Sequence, residues 1–425
     1  MTDVVVVGLG KIGLPLAVQC ARRGHRVVGA DTDPAVVAAV NAGRAPFPGE
    51  PELDEPLKAA VAAGLLRATG DTTGAVAAAE AVVVVVPLLL DPAGAPDFAA
   101  LDAATAAVAA GLRPGTLVSY ETTLPVGTTR SRFAPVLGPG AHVVFSPERV
   151  LSGRVLTDLR RYPKLLGGLD PESARRGTGF YRSILDFDPR PDLAPRQNGV
   201  WDLGSAEAAE LAKLAETTYR DVNIALVNQF ARFADRAGIA LDPVLAACNS
   251  QPYSHLHRPG IAVGGHCIPV YPRLYLWQDP DATVVSAARA ANEAMPGYAV
   301  DLLARALGPL TGHRVLVLGA AYRGGVKESA CSGVFPLTDA LAAAGATAVV
   351  ADPLYRDAEL TALNLRPWAG EPVAAVVVQA DHAEYAEVGP ADFPGVRVLL
   401  DGRGITDPAR WAGVRRIVLG GGTQG

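Results

Sequence analysis

The turn Gly8-Leu9-Gly10-Lys11-Ile12-Gly13 constrains this chain more than any other segment. It follows the apolar run "DVVVVG" and opens a helical stretch, "LPLAVQCARRG", closed by Gly24. A second apolar run, "RVVGAD", ends at Asp31, 18 residues after Gly13. Strand, glycine turn, helix and strand, with an acid at the second strand's end, give the G-x-G-x-x-G fingerprint its full context. The glycines let the backbone approach a pyrophosphate, which sits against the free N–H groups and positive dipole of the helix N-terminus. Asp31 is placed to accept from the adenosine ribose hydroxyls, so the expected cofactor is NAD. A 2′-phosphate would be repelled, and Thr32, Asp33, Pro34 and Ala35 bring no arginine to hold one. Gly8, Gly10, Lys11, Ile12, Gly13 and Asp31 are therefore the candidate cofactor residues of this first turn.

Further apolar runs, "AEAVVVVVP" (79–87), "TLVSYETT" (116–123) and "HVVFSPE" (142–148), alternate with Ala-rich helical stretches. That alternation predicts a parallel, doubly wound sheet. Pro87, Thr123 and Glu148 each fall just past a strand's carboxyl end, where such sheets bind ligands. From about residue 205 to 307 the pattern turns helical. "SAEAAELAKLAETTYRDVNIALVNQFARFADRAG" keeps helical apolar spacing with no Gly or Pro before Gly238. A helix of that length is expected to join two lobes or bury a subunit interface. A second α/β unit begins at "HRVLVLGAAYRGG" (313–325), and its "AVVAD" (348–352) echoes "VVGAD" (27–31). The fold class expected is thus α/β, two doubly wound Rossmann-like lobes joined by a long-helix all-α middle domain. The boundaries are 1–200 for an NAD-binding lobe, 201–308 for a helical, dimerising middle and 309–425 for a nucleotide-sugar lobe.

Composition excludes several classes. With 43 acidic and 38 basic residues, a net charge of −5 offers no footprint for nucleic acid or an anionic membrane. The longest apolar run, "AVVVVVPLLL" (81–90), is half the length of a span and holds a proline. No basic n-region or cleavage site precedes the first strand, so a cytoplasmic location is expected. The four cysteines, Cys20, Cys248, Cys267 and Cys331, form no C-x-x-C pair, which argues against zinc or a disulfide framework. No metal is expected.

"GGHCIPVY" (264–271) sets Cys267 behind two glycines and in front of a proline. A packing cysteine usually sits inside an apolar element, whereas this backbone is built for close approach. Packing residue, metal ligand and nucleophile remain the options on the residues alone. The wider pattern is more specific. "ETTLPVGTTR" (121–130), "SPERVLSGR" (146–154), "KLAETTYRDVN" (213–223), "RPGIAVGGHCIPVYP" (258–272), "GAAYRGGVKE" (319–328) and "DGRG" (401–404) occur in that order. Together they resemble the UDP-glucose/GDP-mannose dehydrogenase family over almost the whole chain, in a pattern nearest to its UDP-N-acetylmannosamine dehydrogenase branch.

The resemblance implies NAD-dependent, four-electron oxidation of a nucleotide sugar's C6 alcohol to a carboxylate. It makes Cys267 the nucleophile that captures the aldehyde as a thiohemiacetal, which becomes a thioester. Lys213 corresponds to the lysine that stabilises charge on the sugar oxygen, with Thr217 beside it in the motif. Glu148 corresponds to the carboxylate that assists thioester hydrolysis, and Thr123 to the hydroxyl that positions the water. Pro87, Leu88 and Thr123 extend the cofactor set. Glu148, Arg149, Lys213, Arg258, Gly260, Gly264, Tyr322, Arg323 and Arg403 form the substrate set, in which the arginines suit a diphosphate. His266 reads as a shaping residue.

Four positions depart from the family pattern. Thr217 replaces an asparagine, Tyr271 an aspartate, Ala330 an arginine and Leu88 a threonine. The expected substrate is a UDP-N-acetylhexosamine such as UDP-N-acetylmannosamine. Alternatives are UDP-glucose or GDP-mannose, a two-electron hydroxyacid-type dehydrogenase, and a catalytically weakened sugar-nucleotide binder. A homodimer or larger assembly built on the 205–238 helix is expected.

Overall fold

A computed structural model describes residues 1–422. The chain divides into two compact units. The first holds Met1–Glu216 with Arg273–Gln278, the second Thr217–Pro272 with the chain from Asp279 onward.

The first unit is built on an eight-stranded sheet. Its strands are β1 (Asp3–Val7), β2 (Arg26–Ala30), β3 (Leu66–Thr69) and β4 (Ala81–Val84). A two-stranded hairpin, β5 (Leu89–Leu90) and β6 (Pro96–Asp97), interrupts the order. Strands β7 (Leu117–Tyr120), β8 (His142–Phe145), β9 (Lys164–Gly168) and β10 (Val200–Asp202) complete the sheet. The order is β10-β9-β8-β7-β4-β1-β2-β3. Runs such as Ala81–Val84 are buried along their whole length. β-Branched side chains suit such strands, whose two faces are both covered by helices. The chain winds from β1 outward to β3, then returns so that β4 lies on the other side of β1. That reversal opens a crevice at the carboxyl ends of β1 and β4.

The sheet is parallel except at one pair: β9 runs antiparallel to β8. The runs read from sequence as parallel strands, now β4, β7 and β8, are parallel, and β9 adds one antiparallel seam. Its consequence is local, because an antiparallel neighbour brings the start of β9 to the edge where β7 and β8 end.

In the second unit, β11 (Arg314–Leu318), β12 (Thr347–Ala351), β13 (Ala375–Val378), β14 (Val398–Asp401) and β15 (Arg415–Val418) form a parallel sheet. Its order is β12-β11-β13-β14-β15, with the same reversal between β11 and β13. The long helix runs Ala206–Ala237, 32 residues. Ala, Leu and Glu favour it, and Gly238 at φ 70° ends it. Among the described residues no helix is long and apolar enough to cross a membrane.

Candidate active site

In the first unit the G-x-G-x-x-G turn lies between β1 and the helix Gly13–Arg22. Gly8 adopts φ 94°, and a Cβ there would meet the carbonyl of Val85 at 3.3 Å, just past β4. The two loops of the crevice thus approach backbone to backbone. Around Gly10 nothing lies within 4 Å of where a Cβ would be, so the turn faces open space. Asp31 Oδ2 accepts from Leu9 N at 2.8 Å, and its Oδ1 accepts from Asp33 N at 2.9 Å. Each oxygen retains a lone pair for a ribose hydroxyl. These residues fit a dinucleotide. Pro87 is exposed, whereas Leu88 and Thr123 are buried just beyond β4 and β7. Lys11 and Ile12 are half-buried at the head of the turn.

Glu148 lies three residues beyond β8. Its Oε1 accepts from Arg149 N at 2.5 Å and Val150 N at 2.9 Å. Its Oε2 is buried without a hydrogen-bond partner and stands 3.6 Å from Lys164 Nζ. Burial opposes the charge, but Lys164, the two N–H groups and Lys213 outweigh it and hold this carboxyl below its ordinary range. Lys213 is itself buried, on the long helix. Arg149 donates through Nε to Glu216 at 2.7 Å and through Nη1 to Pro163 O at 3.2 Å.

Behind Glu148 lies a cluster that sequence reading missed. Lys164 Nζ donates to Glu121 Oε2 at 2.6 Å, and Tyr181 Oη donates to Glu121 Oε1 at 2.5 Å. Ser119 Oγ is 2.6 Å from Tyr181 Oη. A lysine opening the fully buried segment "KLLGG" was the signal available, since lysine is rarely buried unless paired.

In the second unit, Cys267 precedes a turn that leads into the helix Tyr271–Gln278, and its carbonyl accepts from Tyr271 N at 2.9 Å. The thiol's residue is half-buried. Gly265 adopts φ 92° and donates to Ala330 O at 2.9 Å. A Cβ on Gly264 would stand 2.6 Å from that of Tyr322. The glycine pair is therefore pressed flat against Tyr322 and the strand of chain at 330–332. His266 has a mostly exposed side chain, 3.4 Å from Glu328.

Tyr322 and Arg323 follow β11, and Arg403 follows β14, so all three sit at carboxyl ends of this sheet. Arg403 donates through Nε to Gln379 O at 2.9 Å and through Nη2 to Tyr322 O at 3.2 Å. Burial lowers its pKa, and Asp381 offsets this only in part. Gly324 N donates to Asp381 Oδ1 at 2.8 Å, fastening the loop that carries Arg323. Arg403 Nη1 comes within 3.3 Å of where a Cβ on Gly260 would be. Asn228 Oδ1 accepts from Gly260 N at 3.0 Å, and Asn223 Oδ1 accepts from His257 N at 2.9 Å. These two helix asparagines, also missed from sequence, hold both sides of Arg258. Thr217 is buried on the same helix. The first unit thus assembles the turn, Asp31, Glu148, Arg149 and Lys213, and the second assembles Gly260, Gly264, Tyr322, Arg323 and Arg403.

Two family models match this chain up to residue 294. Residues 2–185 match the NAD binding domain of the UDP-glucose/GDP-mannose dehydrogenase family, and residues 207–294 match its central domain. The chain belongs to the UDP-glucose/GDP-mannose dehydrogenase family. This dehydrogenase is an NAD-dependent oxidoreductase of nucleotide sugars. It is 32% identical to the UDP-N-acetyl-D-mannosamine dehydrogenase of Pyrococcus horikoshii over 420 residues, 95% of each chain. A solved structure of UDP-D-ManNAc dehydrogenase from that organism superimposes with a TM-score of 0.86 at 30% identity, covering 98% of this chain and 99% of that one. A UDP-glucose dehydrogenase from Pyrobaculum islandicum superimposes with a TM-score of 0.83 at 27% identity, covering 97% and 98%.

Proposed function

We propose that this dehydrogenase oxidises the C6 hydroxyl of a UDP-N-acetylhexosamine, UDP-N-acetylmannosamine first among them, to the uronate. The name of the 32%-identical relative supports the sugar. The observation that carries the chemistry is the setting of Cys267, half-buried behind a glycine pair packed flat on Tyr322.

Bound NAD accepts hydride, and two NAD per sugar make the four-electron change. Between the two oxidations Cys267 Sγ bonds to the aldehyde carbon as a thiohemiacetal, and after loss of the second hydride the carbon is a thioester. Water then adds to that carbon, one proton passes to Glu148, and the C–S bond breaks to give the thiolate and a carboxylic acid, whose remaining proton restores the thiol and leaves the carboxylate. Lys213 stabilises the developing oxyanion, and Thr123 and Thr217 donate hydroxyls to water and oxyanion. Gly8, Gly10, Lys11, Ile12, Gly13, Asp31, Pro87 and Leu88 hold the cofactor. Arg149, Arg258, Gly260, Gly264, Tyr322, Arg323 and Arg403 hold the sugar nucleotide, the last three in a 309–425 lobe dedicated to it. Residues 1–200 form the NAD lobe and 201–308 the dimerising middle. The enzyme works as a homodimer.

The test is a panel of sugar nucleotides followed by NADH absorbance and product mass. Two NADH per UDP-N-acetylmannosamine is the expected ratio. One NADH would make it a two-electron enzyme, and none would make it a binder. Faster oxidation of UDP-glucose would move the substrate class.

A further inference from the structure

Lys164 is buried, 6% exposed, between two carboxylates that leave the sheet at neighbouring strands. Glu121 directly follows β7 and Glu148 follows β8, while the antiparallel β9 delivers Lys164 to the same edge. The ammonium is 2.6 Å from Glu121 Oε2 and 3.6 Å from Glu148 Oε2. The first is a full ion-paired hydrogen bond and the second is a charge contact beyond hydrogen-bond range. One cation is therefore shared unequally by two acids in a buried site. Glu148 Oε2 has no hydrogen-bond partner of its own.

We propose that Lys164 is the positioning residue for Glu148, and that competition from Glu121 for its ammonium sets how readily Glu148 takes a proton. The inference rests on the reading of Glu148 as the base of thioester hydrolysis. As water bonds to the thioester carbon, its proton moves to Glu148 and neutralises one of the two acids. Lys164 then serves Glu121 alone, and when Glu148 gives the proton up the ammonium is shared again. No charge has to leave the buried cluster during the step.

The other groups facing this cluster are few. Tyr181 on the helix Pro171–Ile184 donates to Glu121, and the ammonium lies 5.0 Å over its ring. Lys213 on the long helix acts on Glu148, and the buried thiol of Cys20 on the helix Gly13–Arg22 feels Glu121 and Lys164. Arg149 is engaged by Glu216. Burial pushes Glu121 up to about 7 against the pull of Lys164, so its charge changes within the working range. Burial also opposes the charge on Lys164, yet the two carboxylates prevail and raise it.

The test is the pH dependence of uronate formation in four variants, with NADH binding and thermal unfolding alongside. Lys164→Met removes the compensating charge, so the acid limb of the kcat profile should move up by about one pH unit or more. The rate on the acid side of the profile should then fall by up to about tenfold, with little change at pH 7. Lys164→Arg keeps the charge and should restore most of that rate. Glu121→Gln commits Lys164 to Glu148 at every pH and should remove the step in the wild-type profile near pH 7, where Glu121 gains its charge. All should bind NADH within about twofold of wild type, because the cofactor turn is untouched. Glu148→Gln should abolish the limb. If Glu148→Gln keeps it, the base assignment itself falls. If it is lost there but Glu121→Gln overlays the wild type, and Lys164→Met is slower by one factor at every pH or does not fold, Lys164 is a structural cation and the inference is overturned.

Discussion

A Cβ placed on Gly13 would stand 1.9 Å from the carbonyl oxygen of Gly8. Both atoms are backbone-bound, so neither can swing aside. Gly13→Ala must open the turn, at a cost of about 1–3 kcal/mol for overpacking. It should lower the unfolding temperature and weaken NADH binding at least tenfold. Gly10 is the counter-case, because a Cβ there meets nothing within 4 Å. Gly10→Ala should leave the unfolding temperature near wild type and still weaken NADH binding, the methyl projecting where a pyrophosphate must approach. Calorimetric titration with NADH, paired with a melting curve, separates the two. Equal effects on both readouts would remove the distinction.

Asp31 accepts from two backbone N–H groups and presents carboxylate to the crevice. A 2′-phosphate there would meet like charge, worth roughly 1–4 kcal/mol at contact distances. The kcat/KM with NADP should fall at least about tenfold below that with NAD. Equal values would show that Asp31 does not face the ribose.

Two buried glutamates give stability an unusual slope with pH. Glu210 accepts from Thr129 N at 2.9 Å, from Thr129 Oγ at 2.6 Å and from Gly127 N at 2.5 Å. Burial still pushes it up to about 7, as it does Glu121. A carboxyl raised on folding binds its proton more tightly in the folded state. Its contribution is present in full below the unfolded value of 4.5 and is lost as pH rises through about 7. His257, lowered by burial, works the other way, as one half-buried group against two. The unfolding temperature should therefore decline from pH 5.5 to 8 by a few degrees. A temperature that climbs across this interval would contradict the assignment.

The long helix exposes Tyr219, Leu226, Phe230 and Phe233, spaced seven, four and three residues apart and so on one face. Phe233 is 59% exposed. Large side chains on one stripe mark an association surface. Phe230→Asp with Phe233→Asp should turn the proposed homodimer into monomer by light scattering at micromolar concentration. A wild type that is already monomeric and active would end the proposal.

What the sequence made legible follows the range of its signals. The G-x-G-x-x-G turn and Asp31 are read from one local pattern, because turn, helix and strand are contiguous. The 32-residue helix was legible for a similar reason: 3.6-residue periodicity with no breaker needs no partner to be recognised. β15 and the reversed direction of β9 were not, since direction and neighbour are set by pairing far along the chain. Glu121 and Lys164 lie 43 residues apart, and only the seam between β8 and β9 brings them together. Asn223 and Asn228 carry no local signal of their role, and their work on the 255–260 segment appears only once that segment folds back.

Cys267 carries the sharpest prediction. Its carbonyl caps the turn leading into Tyr271–Gln278, and the glycine pair before it is fixed by Ala330 O and Tyr322. Serine keeps that backbone, so Cys267→Ser should fold and bind NADH and the sugar nucleotide as before. A hydroxyl is a poor nucleophile near neutral pH without an activating base, and it forms no thioester. Steady-state uronate formation should fall by at least about a thousandfold. In the wild type, substrate should protect Cys267 from a thiol alkylator. Cys20 is buried and needs no protection, and Cys248 and Cys331 should react alike with and without substrate. Tyr271 starts the helix four residues on, where the family pattern has a carboxylate, so the proposed hydrolysis rests on Glu148. An acid quench at saturating substrate and NAD should accordingly trap a sugar-nucleotide acyl adduct on Cys267, seen by peptide mass. Wild-type rates in Cys267→Ser would make the thiol a packing group and send the second oxidation through a free aldehyde hydrate.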